Sequence, residues 1–228
     1  MIEVKNVSKK YGRRTVLDGA AFEAEKGEIT CLIGMNGAGK TTLLKTIMGI
    51  TPFQSGSILI DGETMSPAML EKITYIPDAP IMQPRMTIRE FMEFMEDFYP
   101  NWNRERAFEL LHFFKLSKGE KISNLSKGNA AKASLMMGLA LDTEYLLMDE
   151  PFSGIDLFSR EQIARVFTSH LIDGRGVIIT THEIQDIQHL LDKVVMLESG
   201  RVVKQFNAEE MRISEGKSVI DVMREVYR

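Results

Sequence analysis

A single cysteine, Cys31, stands in 228 residues. That count excludes an intrachain disulfide and any cysteine metal cluster. No apolar run approaches the roughly 20 residues that cross a bilayer as a helix. The first residues, Met1-Ile2-Glu3-Val4-Lys5, lack the apolar stretch of a signal peptide. A reduced, cytoplasmic protein that cannot span a membrane by itself is therefore expected. Basic charge is not in excess: 28 Lys and Arg against 32 Asp and Glu leave 28 − 32 = −4. Sequence-independent binding to nucleic acid needs clustered Lys and Arg, so no direct nucleic-acid partner is expected. Internal repeats and low-complexity linkers are missing too. What remains is a globular composition, 44% hydrophobic and 26% charged, which excludes wholesale disorder.

The periodicity changes along the chain. Ile2-Glu3-Val4-Lys5-Asn6-Val7 alternates as a half-exposed strand does, Gly12-Arg13-Arg14 reads as a turn, and Val16 to Glu25 as further strand. Glu28 to Ile33 is a continuous apolar run of the kind a buried parallel strand shows. A glycine-rich loop and a helix from Lys40 to about Met48 follow. From Thr87 to about Leu141 the pattern is helical. Thr87-Ile88-Arg89-Glu90 has capping-box spacing. Phe91, Met92, Phe94, Met95, Phe98 and Tyr99 then read as one apolar helix face, and Ala107, Leu110, Leu111 and Phe114 as a second. Strands return at Tyr145–Met148 and Val177–Thr180, with a helix predicted from Leu157 to Leu171 between them. Val194–Leu197 and Arg201–Val203 read as a hairpin around Ser199-Gly200, and the tail from Ala208 as short helices. The expectation is an α/β core with a helical insert.

Gly34-Met35-Asn36-Gly37-Ala38-Gly39-Lys40-Thr41 fits G-x-x-x-x-G-K-[ST] between a buried strand and a helix. Glycines let successive N–H groups wrap phosphate oxygens, and the helix N-terminus adds positive charge. Lys40 supplies a full charge, and the Thr41 hydroxyl is placed to ligate Mg²⁺. A glycine-rich turn with a chance lysine explains less, because strand, loop and helix all agree. Leu146-Leu147-Met148-Asp149-Glu150 ends a second buried strand in two carboxylates. Asp149 there can hold the metal, directly or through water, and Glu150 can polarise the attacking water. Alone this pair reads equally well as an acidic strand end.

With these motifs the chain resembles the ATP-binding subunit of an ABC transporter over nearly its whole length. Leu125-Ser126-Lys127-Gly128-Asn129 lies where that family has Leu-Ser-Gly-Gly-Gln, and Ser153-Gly154-Ile155-Asp156 is similar to its D-loop. The resemblance implies a P-loop NTPase with a mainly parallel core sheet, an N-terminal antiparallel β subdomain and an inserted α-helical subdomain. It makes 1–228 one domain, with 1–86 and 142–228 as the core and 87–141 as the helical subdomain. It implies ATP and Mg²⁺ as cofactors. Nucleotide contacts then fall to Tyr11, Gly34, Asn36, Gly37, Ala38, Gly39, Lys40, Thr41, Thr42 and, from a facing subunit, Ser126 and Gly128. Metal contacts fall to Thr41, Asp149 and Asp78, and catalysis to Glu150 as base and His182 as the γ-phosphate switch.

Two departures stand out. Lys127 and Asn129 replace a Gly and a Gln of the signature. Asp78 stands where the family has its Q-loop Gln, and an ionised carboxylate cannot donate a hydrogen bond. Both departures resemble a bacterial subgroup of antibiotic- and peptide-export ATPases. The implied partners are a second ATP-binding subunit, identical or paralogous, and transmembrane permease subunits that hold the chain on the inner face of the membrane. Met82, Met86, Met92 and Met95 read either as a docking surface for those subunits or as core of the helical part. Other readings are a soluble ABC ATPase acting on ribosomes or nucleic acid and a non-hydrolysing nucleotide-dependent module. One cassette, no sustained heptads and negative charge oppose the first. Lys40, Asp149, Glu150 and His182 oppose the second.

Overall fold

The alternating N-terminal segment forms β1 (Ile2–Tyr11), paired antiparallel with β2 (Arg14–Ala24). Ile2, Val4 and Val7 are all buried, although the last two are not an even step apart. Asn6 sits between them at φ 52 and the register slips there, so a bulge returns the next apolar side chain to the core. β4 (Ser55–Ile60) and β5 (Glu63–Thr64) complete an antiparallel sheet in the order β2-β1-β4-β5. The computed structural model describes residues 1–182 and 184–227. Glu183 and Arg228, the latter the end of the expected domain, lie outside the described residues.

The second sheet holds β3 (Ile29–Ile33), β6 (Ile73–Ile76), β7 (Tyr145–Asp149), β8 (Gly176–Thr180), β9 (Lys193–Glu198) and β10 (Arg201–Asn207). Its order is β10-β9-β3-β8-β7-β6, with every neighbouring pair parallel except the hairpin β9–β10. β3 shows why its sequence is a continuous apolar run. Cys31 and Ile33 face one core cluster and Leu32 the other, so both faces are covered. Helix α1 (Lys40–Ile47) fills the space between the two sheets, with Leu43, Leu44 and Ile47 fully buried. The architecture is the expected one: an α/β P-loop fold with a mainly parallel sheet, an antiparallel β part and a helical part.

The helical part lies between β6 and β7. Helix α2 (Ile88–Phe98) starts at the anticipated capping box: Thr87 Oγ1 accepts from the Glu90 amide at 3.2 Å, and Glu90 Oε2 accepts from the Thr87 amide at 2.7 Å. α3 (Arg104–Phe113) buries Ala107, Leu110 and Leu111, with Phe114 buried just beyond its end. α4 (Lys127–Leu139) is capped by Ser126. Two expectations need correction. The six-residue apolar face of α2 divides: Phe91, Met92 and Met95 are buried, whereas Phe94, Phe98 and Tyr99 are exposed. The helix predicted to Leu171 ends earlier, as α5 (Leu157–Ala164), and two short 3₁₀ turns follow, Arg165–Thr168 and His170–Ile172. Ser169 separates the two turns: its Oγ donates to Val166 O at 2.7 Å and accepts from the Leu171 amide. The tail forms α6 (Ala208–Glu215) and α7 (Val219–Val226).

Candidate functional site

The loop between β3 and α1 is shaped by backbone that only glycine adopts easily. Gly37 and Gly39 have φ of 83° and 109°. A Cβ on Gly39 would stand 2.8 Å from Val16 O, and one on Gly34 would stand 2.5 Å from Leu197 O. Neighbouring strands therefore press directly against the loop. It borders a cleft of about 630 Å³ lined by Asn36–Thr42, Asp78, Glu150, Ser153 and His182, with Arg14 and Val16 on the β2 side.

Lys40 is buried and donates from Nζ to Gly34 O at 2.7 Å, with Glu150 Oε1 at 3.3 Å. A buried ammonium is tolerable here because both a carbonyl and a carboxylate meet it. Asp149 is 2% exposed at the end of β7. Its Oδ1 accepts from Thr41 Oγ1 at 3.0 Å and from Thr180 Oγ1 at 2.7 Å, and its Oδ2 accepts from the Tyr75 hydroxyl at 3.1 Å. Among the described residues no cation pairs with it. A buried carboxylate served only by neutral hydroxyls suits a hard cation, and Thr41, Asp149 and Asp78 offer the oxygen ligands Mg²⁺ prefers. Among the described residues no cluster of three or more His, Cys, Asp or Glu could hold a metal unaided, so the remaining ligands would be water and phosphate.

Glu150 sits at φ 47, unusual for a non-glycine residue. Its amide donates to Thr180 O at 3.0 Å and to Thr180 Oγ1 at 2.9 Å, which fix that backbone. The bend turns its carboxylate away from Asp149 and toward the cleft. Oε2 accepts from the His182 amide at 3.2 Å and lies 2.8 Å from His182 Nδ1. Burial, and then the charges of Asp149 and Glu150, push the Asp78 carboxyl above the usual carboxylate range. Burial, and then Asp149, likewise raise the Tyr75 hydroxyl. The Cys31 thiol is pushed up chiefly by burial, which fits a packing residue rather than a reactive one.

The structure thus gathers Gly34–Thr42, Asp78, Asp149, Glu150 and His182 in and around one cleft. It does not bring Tyr11, Ser126 or Gly128 there. Tyr11 is half exposed at the end of β1, with Lys9 Nζ 4.8 Å from its ring centre. Ser126 caps α4, its Oγ accepting from the Asn129 amide at 3.2 Å. Gly128 is buried where α4 meets α5: a Cβ there would lie 2.3 Å from Ser159 Oγ. Arg14, Val16, Tyr75 and Thr180 had no local signal in the sequence.

A second cavity, about 560 Å³, opens beside α2 and is apolar. Ile81, Met82, Met86, Phe94, Met95 and Tyr99 line it, with Thr74–Pro77 along its wall. Met92 instead packs inward on the opposite side of α2, next to Trp102. Met82 and Met95 are buried as well as lining the groove, so the same side chains serve as core and as surface.

Residues 17–153 match the ABC transporter family. The petrobactin import ATP-binding protein of Bacillus subtilis is 32% identical, over 92% of this chain and 88% of that protein. The linearmycin resistance ATP-binding protein of the same organism is 31% identical, over 89% of this chain and 68% of its own length. A solved ATP-binding subunit of an ABC transporter superposes with a TM-score of 0.88 at 26% identity, covering 100% of each chain. Importers and resistance proteins thus share this cassette. With the Gly34–Thr41 loop and the strand-end carboxylates Asp149 and Glu150 assembled around one cleft, the chain belongs to the ATP-binding subunits of ABC transporters and is an ATPase.

Proposed function

We propose that this chain is the motor subunit of a bacterial exporter for amphipathic peptides or antibiotics, of the kind that exports phenol-soluble modulins from staphylococci. The convergence of Lys40, Glu150 and His182 on the glycine loop carries the motor reading. The exporter reading rests on the Lys127, Asn129 and Asp78 departures and on relatives such as the linearmycin resistance protein. ABC cassettes dimerise and work with transmembrane components. No helix among the described residues is long and apolar enough to cross a membrane, so the permease supplies the path.

In the proposed cycle the loop amides of Gly34–Gly39 and Lys40 hold the triphosphate. Ser126 and Gly128 of a second subunit close over the γ-phosphate, aided by the N-terminus of α4. Thr41, Asp149 and Asp78 would hold Mg²⁺, which would supply positive charge to the triphosphate. Lys40 trades its contact with Gly34 O for phosphate oxygens. Glu150 takes a proton from water, whose oxygen forms a bond to the γ-phosphorus as the bond to the ADP oxygen breaks. His182, oriented by Glu150, contacts the γ-phosphate and holds the closed geometry.

The apolar groove receives a helix of the permease, and its methionines adapt to that surface. Tyr11 stacks on adenine once the nucleotide is in place. The test is reconstitution of the chain with its permease in vesicles. ATP-dependent movement of an amphipathic helical peptide is expected. Turnover that no membrane protein changes, with no peptide movement, would sink the reading.

A further inference from the structure

Asp149 is bound by hydroxyls from three separate elements. Thr41 comes from the first turn of α1 and Thr180 from β8, the strand that leads to His182. The third, Tyr75, comes from β6, the edge strand of the core sheet. A carboxylate offers about four acceptor positions. Among the described residues Oδ1 has two donors, and Oδ2 has only the Tyr75 hydroxyl. That one bond therefore sets how Oδ2 is presented to a metal. Residues 74–77 also form a wall of the apolar groove, and Asp78 follows directly.

We propose that Tyr75 is a positioning residue that holds the metal carboxylate from the groove wall, so that occupation of the groove and loading of the metal are linked. A displacement of β6 by a bound helix moves the hydroxyl relative to Asp149 Oδ2, and by reciprocity a bound metal changes the affinity of the groove for its partner. The hydroxyl contact is the two-sided element that such a linkage requires. The link to the groove rests on the proposed permease docking; the hold on Asp149 does not.

Tyr75→Phe removes one oxygen and no ring volume. With the purified chain, Mn²⁺ binding in the presence of ADP, read by electron paramagnetic resonance, is expected to weaken several-fold in Tyr75→Phe. Metal-free ADP affinity and the melting temperature stay as in wild type. Unchanged Mn²⁺ affinity overturns the positioning role. Tyr75→Leu, which loses both ring and hydroxyl, should weaken Mn²⁺ no further than Tyr75→Phe; a much larger loss at equal stability assigns the effect to the ring and overturns the proposal. In the permease complex, Mn²⁺ affinity should differ from that of the free chain in wild type and not in Tyr75→Phe; an equal difference in both overturns the link. A permease that does not bind wild-type chain overturns the docking reading, while the Mn²⁺ measurement on the free chain still decides the hydroxyl's role.

Discussion

The nucleotide cleft and the apolar groove are similar in size, about 630 and 560 Å³, and opposite in chemistry. The cleft is made of backbone in special conformations, small residues and a few charges, of which Lys40, Glu150 and His182 are fixed by identified partners. The groove is made of methionines and aromatics, several of them also core. The cleft's geometry follows from steric necessity: a Cβ at Gly34 or Gly39 collides with a neighbouring strand. The groove follows from incomplete burial: α2 carries more apolar surface than the core beneath it can cover. One region suits a ligand of fixed shape, the proposed polyphosphate; the other, rich in methionine, suits the proposed partner helix.

The sharpest break of that comparison is at Glu150. Glu150→Gln keeps the shape of the cleft but removes the proposed base, and turnover should fall about 10²–10⁴-fold, the usual worth of a general base. ATP binding, followed by fluorescence of a labelled nucleotide, should persist. Turnover near wild type would remove Glu150 from its role.

In the groove, burial separates two neighbours. Met82 is 6% exposed and Ile81 is 81% exposed. Met82→Ala should cost roughly 2–5 kcal/mol in chemical denaturation, the range for emptying a core site. Ile81→Asp should leave stability within about 0.5 kcal/mol. It should nonetheless weaken permease recruitment by about tenfold or more, equivalent to ~1.4 kcal/mol. Recruitment unchanged by Ile81→Asp would make the groove a plain core defect.

In the cleft, shape itself can be tested. Gly39→Ala places a side chain at φ 109 against Val16 O. Strain of about 1–3 kcal/mol should appear as a lower melting temperature. Loss of nucleotide affinity should accompany it. The smallest effect belongs to the start of α2. The Thr87 amide, bonded to Glu90, holds that carboxyl below the usual glutamate range. A depressed folded-state value gives stability that is present above the unfolded value and lost as pH falls through the folded one. Glu90→Gln should therefore be less stable than wild type near neutrality, and the difference should shrink in acid. A gap that does not narrow on acidification assigns the bond no role.

Legibility in the sequence followed contiguity. Gly34–Thr41 and Asp149-Glu150 are runs, and the structure places them together with the alternation of strand and helix around them. The capping box at Thr87 and the buried strands were equally local. Tyr75 and Thr180 were not legible, because parallel register brings them in: Asp149 pairs with Thr180, and Tyr75 with Leu147. Nothing adjacent to either residue in sequence signals a carboxylate nearby. The six-residue face of α2 was over-read for a related reason. Periodicity says which residues share a face, not how much of that face finds a partner. The helix was over-read past Ala164, where the chain tightens into 3₁₀ turns separated at Ser169, whose side chain bonds to its own backbone.

The sequence by itself determined the phosphate loop, the two carboxylates and the class of fold, since each rests on covalent proximity and on the periods of strand and helix. Only the tertiary structure decided that Asp149 is gripped by hydroxyls from three elements, that Glu150 bends at φ 47 toward His182, and that half of α2 stays open beside the edge strand. Those features depend on which strands lie side by side, and hydrogen bonds between distant residues leave no mark on the residues next to them.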